Sequence, residues 1–313
     1  MAKINKFTAA CVLVVAMGAG IAAATGESPQ VFATPQQGFE ALVAAVRAND
    51  TKTLKALLGP EGDPIVESGD PAADKQGAQA FIAEYDAHSK IEQPDPNRAI
   101  LSVGADDWPL PIPLVKGKSG WRFDAAAGKQ ELLARRIGRN ELYTIQACMA
   151  YVDAQREYAQ KDRGDKVLDY AQRFISSPGK QDGLYWPTAP GQPESPLGPA
   201  FAAAQTRGYD LAKAKASGVG AQTPFNGYYF RILNGQGPSA PGGAYSYMAG
   251  NKMIGGFALV AYPVSYGNSG VMTFLVNHDG VVYQKDLGPD TTSIAEGMKV
   301  FDPGKGWTKS AST

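Results

Sequence analysis

The fold of this chain is decided by GGFALVAYPVSYGNSGVMTFLVNHDGVVYQKDL at residues 255–287, preceded by NGYYFRILNGQG at residues 226–237. Runs of β-branched and aromatic residues alternate here with Gly, Asn, Ser and Pro, which supply turn geometry. Four strands are predicted, at residues 227–233, 257–263, 271–277 and 281–284. Asp279 and Gly280 predict a hairpin between the last two strands, because both residue types tolerate positive φ. These strands predict an antiparallel sheet that is apolar on both faces and needs helices from earlier in the chain as cover.

The chain ahead of residue 125 shows a different order of elements. Residues 34–58 predict two helices, with Thr34 as an N-cap and Gly59–Pro60 as the stop signal. The remaining elements are a strand at 64–67, a helix at 71–86, and strands at 88–94, 98–104, 110–117 and 119–124. Helices followed by antiparallel strands in this order resemble the cone-shaped fold of nuclear transport factor 2-like proteins. That fold hosts both enzymes and binding modules, so it does not decide the function.

The longest predicted helix runs from Gln130 to Lys161, after a domain junction at residues 125–129. Its apolar stripe consists of Leu133, Ile137, Leu142, Ile145, Met149 and Val152. A stripe at helical spacing needs an apolar partner, and the predicted sheet supplies one. Shorter helices are predicted at residues 166–175, 199–216 and 294–299.

An irregular stretch lies at residues 176–197, SSPGKQDGLYWPTAPGQPESPL. Its Pro and Gly residues are incompatible with regular structure, while Leu184, Tyr185 and Trp186 favour burial. Burial of Trp186 would contribute roughly 2 to 3 kcal/mol, which opposes the entropy cost of ordering the loop. We therefore predict that this loop folds back onto the helix and sheet.

The predicted fold class is α+β. A cone-like domain similar to nuclear transport factor 2-like proteins is expected over residues 34–125, and a long helix packed on an antiparallel sheet over residues 130–302. The second domain loosely resembles the globular part of type IV pilin-like subunits in its long helix, its GYYF strand and its NHDGVVY segment. The chain departs from the pilin pattern near its N-terminus. The Gly-Phe pair that a pilin cleavage site requires occurs at Gly38–Phe39, but position 43 is valine where pilins carry glutamate. The resemblance therefore does not extend to the helix that assembles pilin filaments.

Residues 1–24 predict a secretory signal peptide. Two lysines form a positive n-region ahead of an apolar run that ends in small residues. Cleavage is expected near Ala24, with a site near Ala33 as the alternative, and an uncleaved membrane anchor is the competing interpretation. The expected location is the periplasm or the extracellular medium.

Charge and motif content narrow the function classes. The chain has 30 Lys plus Arg and 30 Asp plus Glu residues, and this balance argues against a nucleic-acid binder. The sequence has no His–His or Cys–Cys metal spacing, no Gly-x-Ser-x-Gly elbow, and no Walker or dinucleotide motif, so neither a metal nor a cofactor is expected. Cys148 alone remains after signal cleavage, which excludes an internal disulfide.

The candidate binding residues are mainly aromatic. The residues predicted to line a groove for a ligand or partner are Tyr185, Trp186, Tyr228, Tyr229 and Arg231. Ordinary core and edge packing is the alternative interpretation of the same side chains.

Two histidines are weighed as catalytic candidates. Asp86 and His88 stand at the start of a strand in the cone-like domain and would suit a general acid/base pair. A position on the rim, at the helix end, is the alternative for His88. His278 lies in the predicted hairpin, where turn residues serve geometry. No catalytic residue is assigned.

Four stretches together carry a family resemblance: FATPQQGFEALVAAVRAND, NELYTIQACMAYVDAQREYA, FISSPGKQDGLYWP and the strand region at 255–287. They resemble the bacterial family called domain of unknown function 2950, which implies an exported protein and no known activity. We expect a non-catalytic module that binds an envelope protein or polymer. The alternatives are a small-molecule enzyme that uses the cone-like domain and an accessory subunit of a pilin or secretion-type machine.

Overall fold

A computed structural model describes residues 30–163, 166–209 and 223–310. These residues form an α+β structure, as predicted. The predicted signal peptide at residues 1–24 lies outside the described residues. No helix in the described ranges is long and apolar enough to cross a membrane.

The N-terminal unit begins with four short helices and one 3₁₀ turn. They are α1 (Pro35–Arg47), α2 (Thr51–Leu58), the turn Pro60–Gly62, α3 (Asp63–Val66) and α4 (Pro71–Ala87). Thr34 caps α1 as predicted, because its side chain accepts a hydrogen bond from the Gln37 amide at 3.3 Å. The strand predicted at residues 64–67 is wrong. Pro64 lies in the first turn of α3, where the fixed φ of proline suits a helix.

The N-terminal sheet is antiparallel and follows the predicted hairpins. Its strands are β1 (Ser89–Asp95), β2 (Arg98–Val103), β3 (Trp108–Pro109), β4 (Leu114–Gly117) and β5 (Gly120–Phe123). They lie in the order β1-β2-β4-β5, and β3 pairs with β2. Leu114, Trp121 and Phe123 are buried and pack with Phe39 of α1. Phe32 also joins this core, and its backbone exchanges two hydrogen bonds of 2.8 Å with Trp121.

The long helix α5 spans Ala125–Tyr158, and Asp124 caps it through a hydrogen bond from the Ala127 amide at 3.2 Å. The helix therefore begins five residues earlier than predicted, and the predicted junction at residues 125–129 lies within it. Ala125 is buried in the N-terminal core, and Tyr158 is buried in the C-terminal core. One helix thus runs through both units.

The predicted apolar stripe of α5 is partly wrong. Leu142 is 50% exposed and Met149 is 38% exposed. The buried face instead carries polar residues whose side chains bond to the backbone of neighbouring segments. Asn140 Nδ2 donates to the Ser269 carbonyl at 2.9 Å, and Gln155 exchanges two hydrogen bonds of 2.8 Å with the backbone of Ala171. Cys148 and Val152 are buried on this face, as predicted.

The C-terminal sheet confirms the four predicted strands to within about two residues at each end. Its members are β6 (Tyr228–Leu233), β11 (Ala258–Pro263), β12 (Met272–Asn277), β13 (Tyr283–Asp286) and β14 (Thr308–Lys309). The sheet is antiparallel in the order β14-β13-β12-β11-β6. Short strand pairs are β7 (Gly235–Gln236) with β8 (Tyr245–Ser246), and β9 (Met248–Ala249) with β10 (Lys252–Met253). A turn at Asp279–Gly280 follows β12, and Gly280 has a φ of 77°.

Two predicted helices of this region need correction. Residues 166–175 are extended, since the Tyr170 amide donates to the Met253 carbonyl at 2.8 Å and the Ser176 amide to Tyr185 at 2.8 Å. The helix predicted at 199–216 appears as α6 (Gly198–Thr206), and its predicted end falls in residues 210–222, outside the described residues. The last helix, α7 (Thr291–Gly297), lies close to its predicted position.

The irregular loop at 176–197 packs back as predicted. Leu184 is fully buried, Tyr185 stacks on Phe201 of α6 with 4.0 Å between ring centroids, and Trp186 packs half-buried against the core. The Asp182 carboxylate accepts hydrogen bonds from the Ser177 amide and hydroxyl at 2.7 and 2.9 Å. The loop is therefore a packed element with its own hydrogen bonds.

Direct hydrogen bonds join the N-terminal helices to the C-terminal sheet. The buried Asp70 carboxylate accepts from the Tyr209 hydroxyl at 2.8 Å and from the Gly227 amide at 2.7 Å. Arg136 of α5 donates to the Pro64 carbonyl and to Asn268 Oδ1, each at 2.6 Å. Burial lowers the pKa of this guanidinium, and nearby Asp74 acts against that shift.

Candidate functional site

A cavity of about 1050 Å³ opens where α5 ends. One wall is the last turn of α5 with the segment that follows it, and the other is the Pro-rich part of the packed loop, residues 186–196. Asn251 and Lys252 close one end. We call this cavity the α5 groove. Its volume is at the upper end of the range of ligand pockets in proteins.

Arg163 organises the floor of the α5 groove. Its guanidinium lies 3.4 Å from the ring centroid of Tyr158 and 5.9 Å from that of Trp186. It donates to the backbone carbonyls of Tyr158 and Lys161, the latter at 2.7 Å. Its Nε is buried and has no hydrogen-bond partner among the described residues. The guanidinium is thus held by aromatic and backbone contacts, with one donor left over.

Tyr158 fixes the loop to the helix. Its hydroxyl donates to the Gln181 carbonyl at 3.0 Å. Burial raises the pKa of the phenol, and the charge of Arg163 acts in the opposite direction. Tyr158 therefore stays protonated at neutral pH and serves as a hydrogen-bond donor within the wall.

The described residues that line the α5 groove carry both charge signs in equal number. Its cations are Lys161, Arg163, Arg173, Lys180 and Lys252, and its anions are Glu157, Asp162, Asp169, Asp182 and Glu194. Lys252 pairs with Asp169 at 3.1 Å, and Arg173 lies 3.7 Å from Asp182. Burial acts to raise the pKa of Asp182, but the Ser177 hydrogen bonds outweigh it and leave that pKa below its usual value. Within the described part of the lining there is no excess of either sign to attract a polyion.

Neutral amide side chains also line the α5 groove. They are Gln172, Gln181, Gln192 and Asn251. Gln172 Nε2 donates to the Asn251 carbonyl at 2.7 Å, which links two of the walls. Each amide offers both donors and an acceptor, so the lining can match a ligand that also presents both.

The five predicted binding residues do not form one groove. Trp186 lines the α5 groove, but Tyr185 is stacked on Phe201. Tyr228 is fully buried and donates to the Met272 carbonyl at 2.9 Å, and burial strongly raises the pKa of its hydroxyl. The prediction for Tyr228 as a contact residue is therefore wrong.

The other two candidates have structural roles as well. Tyr229 packs beside Tyr262 at 5.6 Å between ring centroids. Arg231 donates to the carbonyls of Ala295 and Met298, where it ends α7. Neither residue is among those that line the α5 groove. The α5 groove therefore does not bring Tyr229 and Arg231 together with Trp186, and their role in binding stays a prediction.

The predicted acid/base pair is wrong too. Asp86 forms an ion pair with Arg47 of α1, whereas His88 Nε2 lies 3.1 Å from Asp107 and about half of its side chain is exposed. The interior that an active site would need is filled by Leu114 and Trp121. His278 donates its backbone amide to Phe257 at 3.1 Å and serves the turn, as predicted. No group of three or more His, Cys, Asp or Glu residues in the described ranges is placed to hold a metal ion.

Sequence reasoning missed Tyr158 and Arg163. The charged run KDRGDK at residues 161–166 directly follows the long helix and marks the place in the sequence. The charged run does not reveal that the ring of Trp186, more than 20 residues later in the chain, lies beside the Arg163 guanidinium.

These features define an α+β protein whose described residues form two five-stranded sheets, one helix through both units, and a polar groove with an aromatic floor where that helix ends. The chain matches the family model described as "Protein of unknown function (DUF2950)" over residues 29–310. It belongs to that family, as the sequence resemblance predicted. No curated protein and no solved structure matched the chain.

Proposed function

We propose that this is an exported, non-catalytic binding module whose α5 groove holds a segment of a saccharide polymer of the cell envelope. The observation that carries the proposal is the meeting of Trp186, four amide side chains and balanced charges in one open cavity. Each of the three features favours a polyhydroxylated ligand over a charged or a purely apolar one.

Trp186 supplies the apolar contact. It is half-buried, and its indole lies near the Arg163 guanidinium on the groove floor. A large, rigid aromatic surface of this kind packs against a flat ligand at low entropy cost. The apolar face of a pyranose ring is such a surface.

The amide lining supplies the polar contacts. Sugar hydroxyls donate and accept hydrogen bonds, as do the side chains of Gln172, Gln181 and Gln192. Because cations and anions are equal in number around the groove, a nucleic acid or another polyanion gains no net attraction. A peptide segment of a partner protein is the competing ligand, since it also offers donors, acceptors and flat apolar groups.

Export is part of the proposal, and the burial of Phe32 favours one of the two predicted cleavage sites over the other. Phe32 is buried, pairs with Trp121 and packs edge-on against Phe123. Cleavage near Ala33 would remove this residue from the core, so we place cleavage near Ala24. N-terminal sequencing of the exported protein tests this assignment.

We also infer a finer fold assignment. Helices α1, α2 and α4 beside the sheet β1-β2-β4-β5 support a cone similar to nuclear transport factor 2-like proteins. Packing of α5 against β11 and β12 supports a pilin-like arrangement in the C-terminal half. An experimental structure, superposed on members of both classes, is the test.

Binding of soluble oligosaccharides from envelope glycans to the mature protein tests the function directly. We expect saturable binding by calorimetry, and Trp186→Ala should weaken it about tenfold, because one aromatic anchor is removed. Trp108→Ala is the matched control, since Trp108 lies in the N-terminal unit. If no glycan binds, and a peptide of a partner protein binds in a way that requires Trp186, the saccharide proposal is refuted. The ligand of the α5 groove would then be a peptide.

A further inference from the structure

The solvent-exposed face of α5 carries apolar residues that are not buried against any described part of the chain. Leu142 and Met149 are both substantially exposed, and they lie seven residues apart on one face of a 34-residue helix. Gly138 lies one turn before Leu142 on the same face, and no residue elsewhere in the described ranges comes within 4 Å of where its Cβ would stand. Within the described residues, this face is an apolar helix surface without a partner.

Charges are segregated along the same face. Arg135 and Arg139 precede the apolar pair, and Asp153 and Glu157 follow it. Arg135 also pairs with Glu131 of the same helix and lies 5.0 Å from the ring centroid of Trp108. At 3.6 residues per turn these four positions lie within about 40° of one another around the helix. Asp153 is 74% exposed, and its ion pair with Arg156 is long at 3.8 Å.

The segregation makes the face complementary to a reversed copy of itself. Counting Glu131 and Arg156 with these four, the N-terminal half of the face has a net charge of +1 and the C-terminal half −1, so an antiparallel copy brings opposite net charges together while a parallel copy opposes like charges. Arg139 and Glu157 form no ion pair among the described residues, which leaves both available.

We propose that the protein forms a two-fold symmetric dimer in which the α5 helices of two copies pack antiparallel, centred at Gln146. Pairs that meet across the interface in this register are Arg135 with Glu157, Arg139 with Asp153, and Leu142 with Met149. Two-fold symmetry makes every pair occur twice.

The size of the contact sets its strength. Residues 135–157 span about 33 Å of helix, and Gly138 allows close approach near each end of the contact. A single helix pair lies at the small end of stable interfaces, so the dimer should be reversible, with a dissociation constant on the order of micromolar. Glu157 also lines the α5 groove, so each end of the interface lies at the mouth of a groove.

Cysteine cross-linking of the mature protein tests the register. Gln146→Cys places two thiols at the symmetry axis, and mild oxidation should give a covalent dimer. Gln160→Cys is the control, because its two copies would lie about 42 Å apart in the antiparallel pair. Cys148 is fully buried and does not compete. Cross-links at both positions would indicate parallel packing and overturn the register, and cross-links at neither would refute the dimer.

Charge reversal tests the electrostatic argument by sedimentation equilibrium. Arg139→Glu should raise the dissociation constant about tenfold, because two attractive pairs become repulsive. Adding Asp153→Arg to the same chain should restore the original value. Arg122→Glu, an exposed arginine on β5, should leave the value unchanged. A wild-type protein that is monomeric at every concentration, or a double variant no tighter than Arg139→Glu, would contradict the proposal. Circular dichroism confirms that each variant is folded.

Discussion

Asp70 should be the most costly single carboxylate to remove from this protein. One oxygen caps α4 by accepting from the Ala73 amide at 3.1 Å. The other accepts from the Tyr209 hydroxyl and the Gly227 amide, which belong to the other half of the chain. Asp70→Ala removes a cap worth about 1 kcal/mol and leaves two buried donors unpaired, each at about 1 to 3 kcal/mol. The expected loss in free energy of unfolding is therefore about 3 to 7 kcal/mol.

Urea denaturation followed by circular dichroism measures this loss. Asp50→Ala is a matched control, since Asp50 caps α2 in the same way, through the Thr53 amide at 3.0 Å, but at an exposed site. Asp70→Ala should lower the urea midpoint much more than Asp50→Ala does. Tyr209→Phe combined with Asp70→Ala should cost less than the sum of the two single changes, because they share a hydrogen bond. Equal midpoints for Asp70→Ala and Asp50→Ala would refute the reasoning.

Three further outcomes are expected. Trp186→Ala should lower the melting temperature by a few degrees and expose residues 180–190 to protease, and unchanged melting would show that the indole contributes no packing. Gly270→Ala should destabilise the protein by about 3 kcal/mol, because a Cβ there would stand 2.1 Å from the Tyr228 hydroxyl, whereas Gly77→Ala in open space on α4 should be neutral or stabilising. Burial raises the pKa of Cys148 to about 12, so the thiol of the native protein should resist alkylation at pH 9, and rapid labelling would contradict this. Because the unfolded thiol ionises first, the free energy of unfolding should also fall as the pH rises from about 9.

The C-terminal strands could be predicted from sequence because their signal is local. Residues 258–263 are all buried, and a run of apolar residues bounded by Gly and Pro has few alternatives. The same holds for the helix cap at Thr34, where one side chain and one amide three residues later decide the outcome.

The buried face of α5 could not be predicted by hydropathy. Asn140 and Gln155 are buried because backbone groups far along the chain satisfy them, while Leu142 remains in solvent. The helix prediction for residues 166–175 was wrong for a related reason. Their backbone bonds go to Met253 and Tyr185, and such non-local pairing overrides local helix propensity.

The candidate site was only partly predictable. Trp186 was identified from composition, but its neighbours depend on how the loop returns to the helix end. Asp86 and His88 are two residues apart in sequence, but their side chains pair with different partners. Asp86 lies in the last turn of α4 and reaches Arg47, whereas His88 already follows the extended backbone beyond that helix.

The distance in sequence between α5 and its partners has a consequence for the order of folding. The carbonyl that accepts the hydrogen bond from Asn140 belongs to Ser269, 129 residues later in the chain, and the edge strand β14 ends at Lys309. Synthesis at about 5 to 20 residues per second separates Asn140 from that carbonyl by about 6 to 26 s. During that interval the polar face of α5 must be hydrated, which favours a loosely held helix over a finished core. Completion of the strands from β12 onward, rather than formation of the long helix, should then be the event that commits the C-terminal half to its native packing.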